Sequence, residues 1–394
     1  MPGSLVVAGA RTPIGKLSGA LASFSAMELG GLAIAAALDR AGVDAEEVDY
    51  VFMGQVLQAG QGQITARQAA VKAGIPMTVP ATTVNKVCLS GLNAIYLADQ
   101  MVNAGDADIV VAGGMESMTK APHLVPGARE GFRIGDAVLV DSMMHDGLTC
   151  AFESCAMGLS TERYNAEVGI TRERQDAFAA ASHEKAATAA KDGRFAEEIV
   201  PVAVPQRKGE PVLVDTDEGV RPGTTAESLG QLRPAFDKAG TITAGNASQI
   251  SDGAAAVVVM SRRKAEELGV VPLGELVAYG QVAGPDPSLL LQPSRAIATA
   301  LARAGLEVSD VDLFEINEAF AAVGLASADE LGIPEDKLNV NGGAIALGHP
   351  IGMSGTRLAL TALTELRRRG GGVAAVGLCG GGGQGDAAVL RSVG

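Results

Sequence analysis

The chain repeats part of its own sequence at a nearly constant distance, and this duplication restricts its fold more than any other feature. The segment ALDRAGV at residues 37–43 returns as ALARAGL at residues 300–306, an offset of 263 residues. The strand-like segment IVVAG at residues 109–113 returns as VAAVG at residues 373–377, an offset of 264 residues. Because the offset holds over separate elements, we expect two copies of one supersecondary unit rather than an array of short repeats.

Each copy alternates apolar strands with helices, which predicts an α/β fold. In the first copy, Ser25 and Glu28 have the spacing of a capping box, and the helix that they begin is expected to end at Gly42. Apolar segments near residues 50–53 and 109–112 are typical of buried strands. Such alternation predicts a mainly parallel sheet with helices on both faces.

A segment of different composition separates the two copies. Residues 119–246 contain scattered prolines, long loops and a polar helical pattern near residues 172–191. Insertions of this kind often supply binding loops. The sequence therefore predicts a first half at residues 1–118 plus 247–270, an inserted loop domain at residues 119–246 that covers a ligand, and a second half at residues 271–394.

Composition excludes several classes of function. The 394 residues carry a formal charge of −14, which argues against nucleic-acid partners because these bind basic surfaces. No apolar run approaches the ~20 residues that cross a bilayer, so we expect no membrane association. Four cysteines do not make a disulfide framework in a chain of this length, which favours a cytoplasmic protein.

Two cysteines and one histidine lie at glycine-rich corners, although the chain has only four of each type. Cys88 precedes Ser90 and Gly91, His349 lies in a Gly-His-Pro sequence, and Cys379 precedes four glycines. Glycine lets backbone N–H groups approach a small ligand closely. The duplication makes the Cys88 and His349 corners equivalent, so facing halves would bring these residues to one cleft suited to acyl transfer.

Each of these residues also has a simpler structural interpretation. Cys88 at a helix N-terminus is expected to have a lowered thiol pKa, but most free cysteines are small buried apolar residues. His349 could be a loop histidine bonded only to backbone. His183 lies in an alanine-rich helical pattern and is expected on the surface.

Three further motifs have competing interpretations. The glycine run after Cys379 is not a dinucleotide fingerprint, since only nine residues follow Gly385, so it is expected to direct N–H groups at an oxyanion. Asn317 follows a predicted strand, where it could orient a water or belong to a polar loop. Cys150 and Cys155 lack the second ligand pair of a zinc site, and we expect no metal.

In combination, four motifs resemble the thiolase family, most closely its biosynthetic acetyl-CoA acetyltransferase branch. They are NKVCLSG at residues 85–91, NEAFA at residues 317–321, GHPIG at residues 348–352 and CGGGG at residues 379–383. The resemblance covers nearly the whole chain. It implies duplicated α/β units in a layered αβαβα arrangement with the inserted loop domain, a homo-oligomer (dimer or tetramer), and no metal or redox cofactor.

The resemblance also implies a role for each site residue. Cys88 would be the nucleophile that His349 deprotonates, and Cys379 would be the base that removes an α-proton. Asn317 would hold a water in one oxyanion site, and the N–H groups of Cys88 and Gly381 would form the other. The substrates would be acetyl-CoA, acetoacetyl-CoA and coenzyme A, bound by Leu148, Met157, Arg221, Ser228, Ala244, Ser248, Ala319 and Phe320.

Ala156 and Gln249 depart from the pattern of the biosynthetic branch, where many members have histidine and glycine. These differences leave open a degradative 3-ketoacyl-CoA thiolase that accepts longer chains. A ketosynthase is less consistent with the sequence, because a cysteine occupies the position of its second histidine. A non-catalytic acyl-CoA carrier would be expected to lack Cys88, His349 or Cys379, and all three are present.

Overall fold

The computed structural model describes residues 4–393. The strands are β1 Ser4–Arg11, β2 Gly15–Lys16, β3 Tyr50–Gly54, β4 Ala81–Val84, β5 Ile109–Ser117, β6 His123–Leu124, β7 Val140–Asp141, β8 Thr149–Cys150, β9 Cys155–Ala156, β10 Val202–Val204, β11 Val212–Val214, β12 Ser251–Ser261, β13 Gly274–Ala283, β14 Leu313–Ile316, β15 Val373–Gly380 and β16 Gln384–Ser392.

The α-helices are α1 Ala26–Ala41, α2 Thr65–Lys72, α3 Ser90–Ala104, α4 Met157–Val168, α5 Arg172–Lys191, α6 Ala226–Gly230, α7 Arg262–Leu268, α8 Gln292–Ala304, α9 Ala321–Leu331, α10 Ala344–Leu347 and α11 Ser354–Arg368. Short 3₁₀-helices lie at Ala45–Glu47, Met118–Lys120, Arg194–Glu197 and Val308–Asp310, and a π-helix lies at Met143–Leu148. No helix within residues 4–393 is both long and apolar enough to span a membrane.

The duplicated halves form five layers. The strands follow the order β14-β15-β16-β13-β1-β12-β5-β3-β4, and the halves join where Val6 of β1 pairs with Gly274 of β13. Helices α3 and α11 pack against each other and against strands of both halves. Helices α1 and α2 cover the outer face of the first half, while α8 and α9 lie on the outer side of the second. This is the αβαβα arrangement that the resemblance implies.

The prediction of a mainly parallel sheet was wrong. β3 runs parallel to β4 and β5, and β14 runs parallel to β15, but the remaining neighbours within the large sheet are antiparallel. Two connections cause the difference. β15 returns directly into β16 through a tight turn, and β12 enters between β1 and β5 only after the long inserted segment.

The strands nonetheless have the apolar pattern of a sheet buried on both faces. On β12, Ala256 and Val258 pack into the outer core of the first half, whereas Val257 and Val259 face the core between the halves. Successive side chains point to opposite faces of a strand, so both faces of β12 need apolar residues. The run of alanine and valine at residues 254–260 is therefore a strand buried on both faces.

Local helix signals were also confirmed. Ser25 caps α1, where its hydroxyl accepts the N–H of Glu28 and the Glu28 carboxylate accepts the N–H of Ser25. The helix is followed by Gly42 in the left-handed conformation at φ +63°. The repeat is visible in the central layer as well, since α3 and α11 each have 15 residues and begin 264 residues apart.

Candidate active site

Cys88 lies in the corner between β4 and α3 and is half-buried. The preceding residue, Val87, has φ +50°, an uncommon conformation for a β-branched residue. This conformation of Val87 turns the chain sharply from β4 into α3. Cys88 packs beside Val56, Leu57 and Ile351.

The prediction of a lowered pKa for Cys88 was wrong. Burial raises the pKa of its thiol to about 12, and the nearby Glu116 carboxylate acts in the same direction. The backbone N–H groups of Cys88 and Gly381 favour the thiolate but only partly offset desolvation. The thiol therefore stays protonated at neutral pH unless a neighbouring group accepts its proton.

His349 is held by hydrogen bonds that define its tautomer. Ser354 Oγ donates to the Pro350 carbonyl at 3.0 Å, so it accepts from Nδ1–H of His349 at 2.6 Å. Nε2 is then the unprotonated nitrogen, and the Asn317 amide donates to it at 3.3 Å. Burial, together with the positive charge of Arg357, lowers the pKa of His349 to about 3. The imidazole is consequently a neutral proton acceptor across the physiological range.

The position of the His349 ring depends on the glycine before it. Gly348 has φ +113°, outside the range that other residues adopt readily. A Cβ at this position would also collide with Ser251 Oγ and with Ile14. The backbone N–H of His349 donates to the carbonyl of Gln249 at 3.0 Å, which fixes the loop from the other side.

Cys379 lies near the end of β15 and is completely buried. It packs in an apolar cluster with Met157, Ala319 and Phe320. Burial raises the pKa of its thiol well above the ordinary value, and the charge of Cys88 adds to this effect. Gly380, the next residue, packs closely against the Leu89 side chain beside Cys88, so the two cysteine segments are in contact, and the backbone N–H of Gly381 favours the Cys88 thiolate.

Asn317 follows β14 and connects the His349 side chain to the sheet. Its N–H donates to the carbonyl of Gly377 on β15 at 3.0 Å. Its side chain is buried, and Oδ1 accepts no hydrogen bond from residues 4–393. That oxygen is thus available to orient a water or a substrate group.

A cleft of about 480 Å³ opens beside His349. Six of the eight predicted coenzyme A contacts line it: Leu148, Met157, Arg221, Ala244, Ser248 and Phe320. Ala319 lies behind this wall, where its carbonyl accepts the N–H of Ser248. Ser228 is outside the lining and instead caps α6 with Thr225. The structure therefore brings most, but not all, of the predicted set together.

Sequence reasoning missed several residues of the cleft. Lys16 brings a second positive charge beside Arg221, and Met118, Met144 and Phe236 add to its apolar wall. These residues come from distant segments without a motif. Lys16 is placed there because β2 pairs with β12 at Ser251, which only the folded sheet reveals.

His183 is buried, so the prediction of a surface histidine was wrong. It is 3% exposed, and its Nδ1 accepts the backbone N–H of Arg221 at 3.2 Å. Burial lowers the pKa of His183 to about 4, and the charge of Arg221 contributes. This neutral histidine thereby anchors the segment that carries Arg221.

Cys150 and Cys155 face each other across the short β8–β9 hairpin. Within residues 4–393, no group of three or more histidine, cysteine, aspartate or glutamate side chains is arranged to hold a metal ion.

Comparison with known proteins identifies the family. Residues 4–263 match the thiolase N-terminal domain, and residues 270–392 match the thiolase C-terminal domain. The chain belongs to the thiolase family. The α/β thiolase fold expected from the sequence is thus confirmed.

Full-length relatives agree with this assignment. The chain is 60% identical to a protein of Mycolicibacterium smegmatis described as a probable acetyl-CoA acetyltransferase, over 98% of this chain and 100% of the relative. It is 55% identical to the acetyl-CoA acetyltransferase of Cupriavidus necator and 52% identical to that of Pseudomonas aeruginosa, over 98% of both chains in each case.

Proposed function

We propose that this protein is an acetyl-CoA C-acetyltransferase, which joins two molecules of acetyl-CoA into acetoacetyl-CoA and coenzyme A through an acetyl group on Cys88. The reaction is reversible. The observation that carries the proposal is that both cysteines pack against the lining of the cleft beside His349: Cys88 against Ile351, and Cys379 in one cluster with Phe320. The relatives named as acetyl-CoA acetyltransferases support the choice of acyl group.

In the first step, Cys88 attacks the thioester carbonyl of acetyl-CoA while Nε2 of His349 accepts its proton. The pKa of Cys88 lies far above neutrality, so the thiol needs this acceptor at the moment of attack. The tetrahedral intermediate then releases coenzyme A thiolate and leaves acetyl-Cys88. The departing thiolate takes a proton from Cys379, which leaves Cys379 as a thiolate beside the imidazolium of His349.

In the second step, the Cys379 thiolate removes a proton from the methyl group of a second acetyl-CoA. The raised pKa of Cys379 makes its thiolate a stronger base for this weak carbon acid. The resulting carbanion attacks acetyl-Cys88, whose carbonyl oxygen is stabilised by the N–H groups of Cys88 and Gly381. Cys88 leaves as a thiolate and recovers its proton from His349, so the proton balance closes.

These steps use only groups of the protein itself and coenzyme A thioesters. We therefore propose that no metal or redox cofactor takes part. Two thiols in their reduced state are required, and the cytoplasm is the compartment that maintains free thiols, which supports a cytoplasmic site of action.

Coenzyme A is proposed to occupy the cleft beside His349. Lys16 and Arg221 offer positive charges to its phosphates, although the protein as a whole carries a formal net charge of −14. The methionine- and phenylalanine-lined wall suits the apolar part of the pantetheine arm.

A mass measurement tests the proposal directly. Treatment with acetyl-CoA should add one acetyl group to Cys88 in the wild-type protein and in Cys379→Ala. The Cys379→Ala variant should then form no acetoacetyl-CoA, whereas Cys88→Ala should not be acetylated at all. Absence of an acetyl group on wild-type Cys88 would instead support a non-catalytic acyl-CoA carrier.

One observation favours a second candidate, a degradative 3-ketoacyl-CoA thiolase of wider chain length. Ala156 lines the cleft with a small side chain where many biosynthetic members have histidine. Thiolysis rates for acetoacetyl-CoA and 3-ketohexadecanoyl-CoA distinguish the two functions. Faster turnover of the long substrate would establish the degradative function and overturn our choice.

We also propose that the protein forms homo-oligomers. Residues 125–139 form an arm closed by the pairing of β6 with β7, and the arm exposes large apolar side chains. Phe132, Ile134 and Val138 are 54%, 102% and 73% exposed. An exposed apolar cluster of this kind is typical of a contact surface. Light scattering of wild type and an Ile134→Ser variant should show a smaller assembly for the variant.

A further inference from the structure

An ion pair joins the β4–α3 loop, which carries Cys88, to the β15–β16 hairpin, which carries Cys379. Lys86 lies two residues before Cys88, and Asp386 follows Gly385, which pairs with Cys379 across β15 and β16. The ammonium group of Lys86 donates to both carboxylate oxygens of Asp386, at 2.7 and 2.9 Å. The pair therefore connects the first half of the duplication to the second at its catalytic edge.

This ion pair is largely shielded from water. The Asp386 side chain is completely buried, and the Lys86 side chain is 21% exposed. The buried Tyr279 hydroxyl donates to the same carboxylate at 2.8 Å, and its ring stacks on Tyr96 of α3 at 4.3 Å. A carboxylate removed from solvent and held by two donors has a well-defined position.

The two cysteine segments also contact each other directly. A Cβ on Gly380 would lie 2.7 Å from the Leu89 side chain, and one on Gly381 would lie 3.5 Å from Val87. The backbone N–H of Gly381 also favours the Cys88 thiolate. Small displacements of one loop relative to the other would therefore change the relation between the two sulfurs.

We propose that Lys86 and Asp386 are positioning residues that set the distance between Cys88 and Cys379. The inference rests on the proposed function. Acetylation of Cys88 depends on proton transfer to His349, and the departing thiolate can take its proton from water when Cys379 is displaced. Condensation has no such substitute, because the carbanion formed at Cys379 must reach the acetyl group. A displacement of about 1 Å can lower the rate of such a step by about 100-fold. Loss of the ion pair should slow condensation much more than acetylation.

The test compares two rates in Asp386→Asn and Lys86→Met, which keep the size of each side chain but remove one charge. Acetylation of Cys88 is followed by quenched flow and intact mass, and condensation by formation of acetoacetyl-CoA. We expect acetylation to stay within about 3-fold of wild type while condensation falls by about 30- to 100-fold. The acetyl-CoA dependence of the acetylation step should be unchanged.

Two further variants control for general damage. Arg174→Gln breaks the exposed bidentate ion pair with Asp329, at 2.9 Å for both contacts, and should leave both rates unchanged. Tyr279→Phe removes one donor to Asp386 but keeps the aromatic ring. If the charge variants do not fold, this milder change should still lower condensation more than acetylation.

Equal loss of both rates in the variants, in proportion to the folded fraction, would show that the pair is only structural and would overturn the inference. Unchanged rates in all variants would overturn it as well. Failure of the proposed function is a separate result, because it would appear as an absence of acetyl-Cys88 in the wild-type protein.

Discussion

The tautomer and pKa of His349 lead to a prediction about the pH dependence of Cys88 acetylation. The perturbation is a change of pH from 7 to 5 in the Cys379→Ala variant, which limits the reaction to the first half. An ordinary histidine with a pKa of about 6.5 would gain a proton over this interval and stop acting as a base. His349 is buried near Arg357, and its pKa is lowered to about 3.

The two pKa values predict different changes in the acetylation rate. With a pKa of about 6.5, the neutral fraction of the imidazole falls from about 76% at pH 7 to about 3% at pH 5, so acetylation would slow by about 25-fold. With a pKa of about 3, the neutral fraction of the imidazole stays near 99% or above at both pH 7 and pH 5. We therefore expect the acetylation rate to be the same at pH 5 and pH 7 within about 2-fold.

Quenched-flow acetylation at saturating acetyl-CoA, read by intact mass, measures this rate. Circular dichroism at each pH provides the control, since the comparison requires a folded protein throughout. An acid limb with a midpoint near 6.5 would refute the argument, because it would show that His349 is solvated or that another base accepts the Cys88 proton.

The remaining predictions concern stability. Arg11→Met should destabilise the protein by about 3–5 kcal/mol in denaturant unfolding, since the buried guanidinium bonds to Glu198 at 2.9 Å and Asp217 at 2.7 Å, and both carboxylates would lose their partner. His183 has its pKa lowered to about 4 in the folded protein, so the unfolded chain binds more protons below pH 6.5 and this contribution to stability is lost as pH falls toward 4. When the pH is lowered from 7 to 5, the melting temperature of His183→Gln should accordingly fall less than that of the wild type. An equal fall in both proteins would contradict the lowered pKa of His183. Gly348→Ala should cost about 1–3 kcal/mol from backbone strain alone and slow Cys88 acetylation, and an unchanged rate would contradict the placement of His349.

Features that depend on neighbouring residues were predicted well. The capping box at Ser25 and the left-handed Gly42 follow from local hydrogen bonding and backbone freedom, so their sequence signals were sufficient. The repeat was equally visible, and its segments at residues 109–113 and 373–377 lie on the corresponding strands β5 and β15. The direction of β12 and β16 was not predicted, because an apolar strand has the same side-chain pattern whether its neighbours run parallel or antiparallel.

The predictions of a lowered pKa for Cys88 and of an exposed His183 failed for a different physical reason. Cys88 does precede a helix, but the effect of nearby N–H groups is smaller than the cost of placing a thiolate in a buried site. His183 occupies an alanine-rich helix, yet the segment containing Arg221 covers it. Burial depends on which distant segments pack over a residue, and a local pattern does not contain that information.

The sequence by itself determined the duplication, the family, and the corners that hold Cys88, His349 and Cys379. These follow from motifs and from glycine positions, which are local properties of the chain. Only the tertiary structure decided the protonation of the two thiols, the Lys86–Asp386 link and the presence of Lys16 in the cleft. Each of these depends on solvent exclusion or on contact between residues far apart in sequence, and both arise only when the two halves pack together.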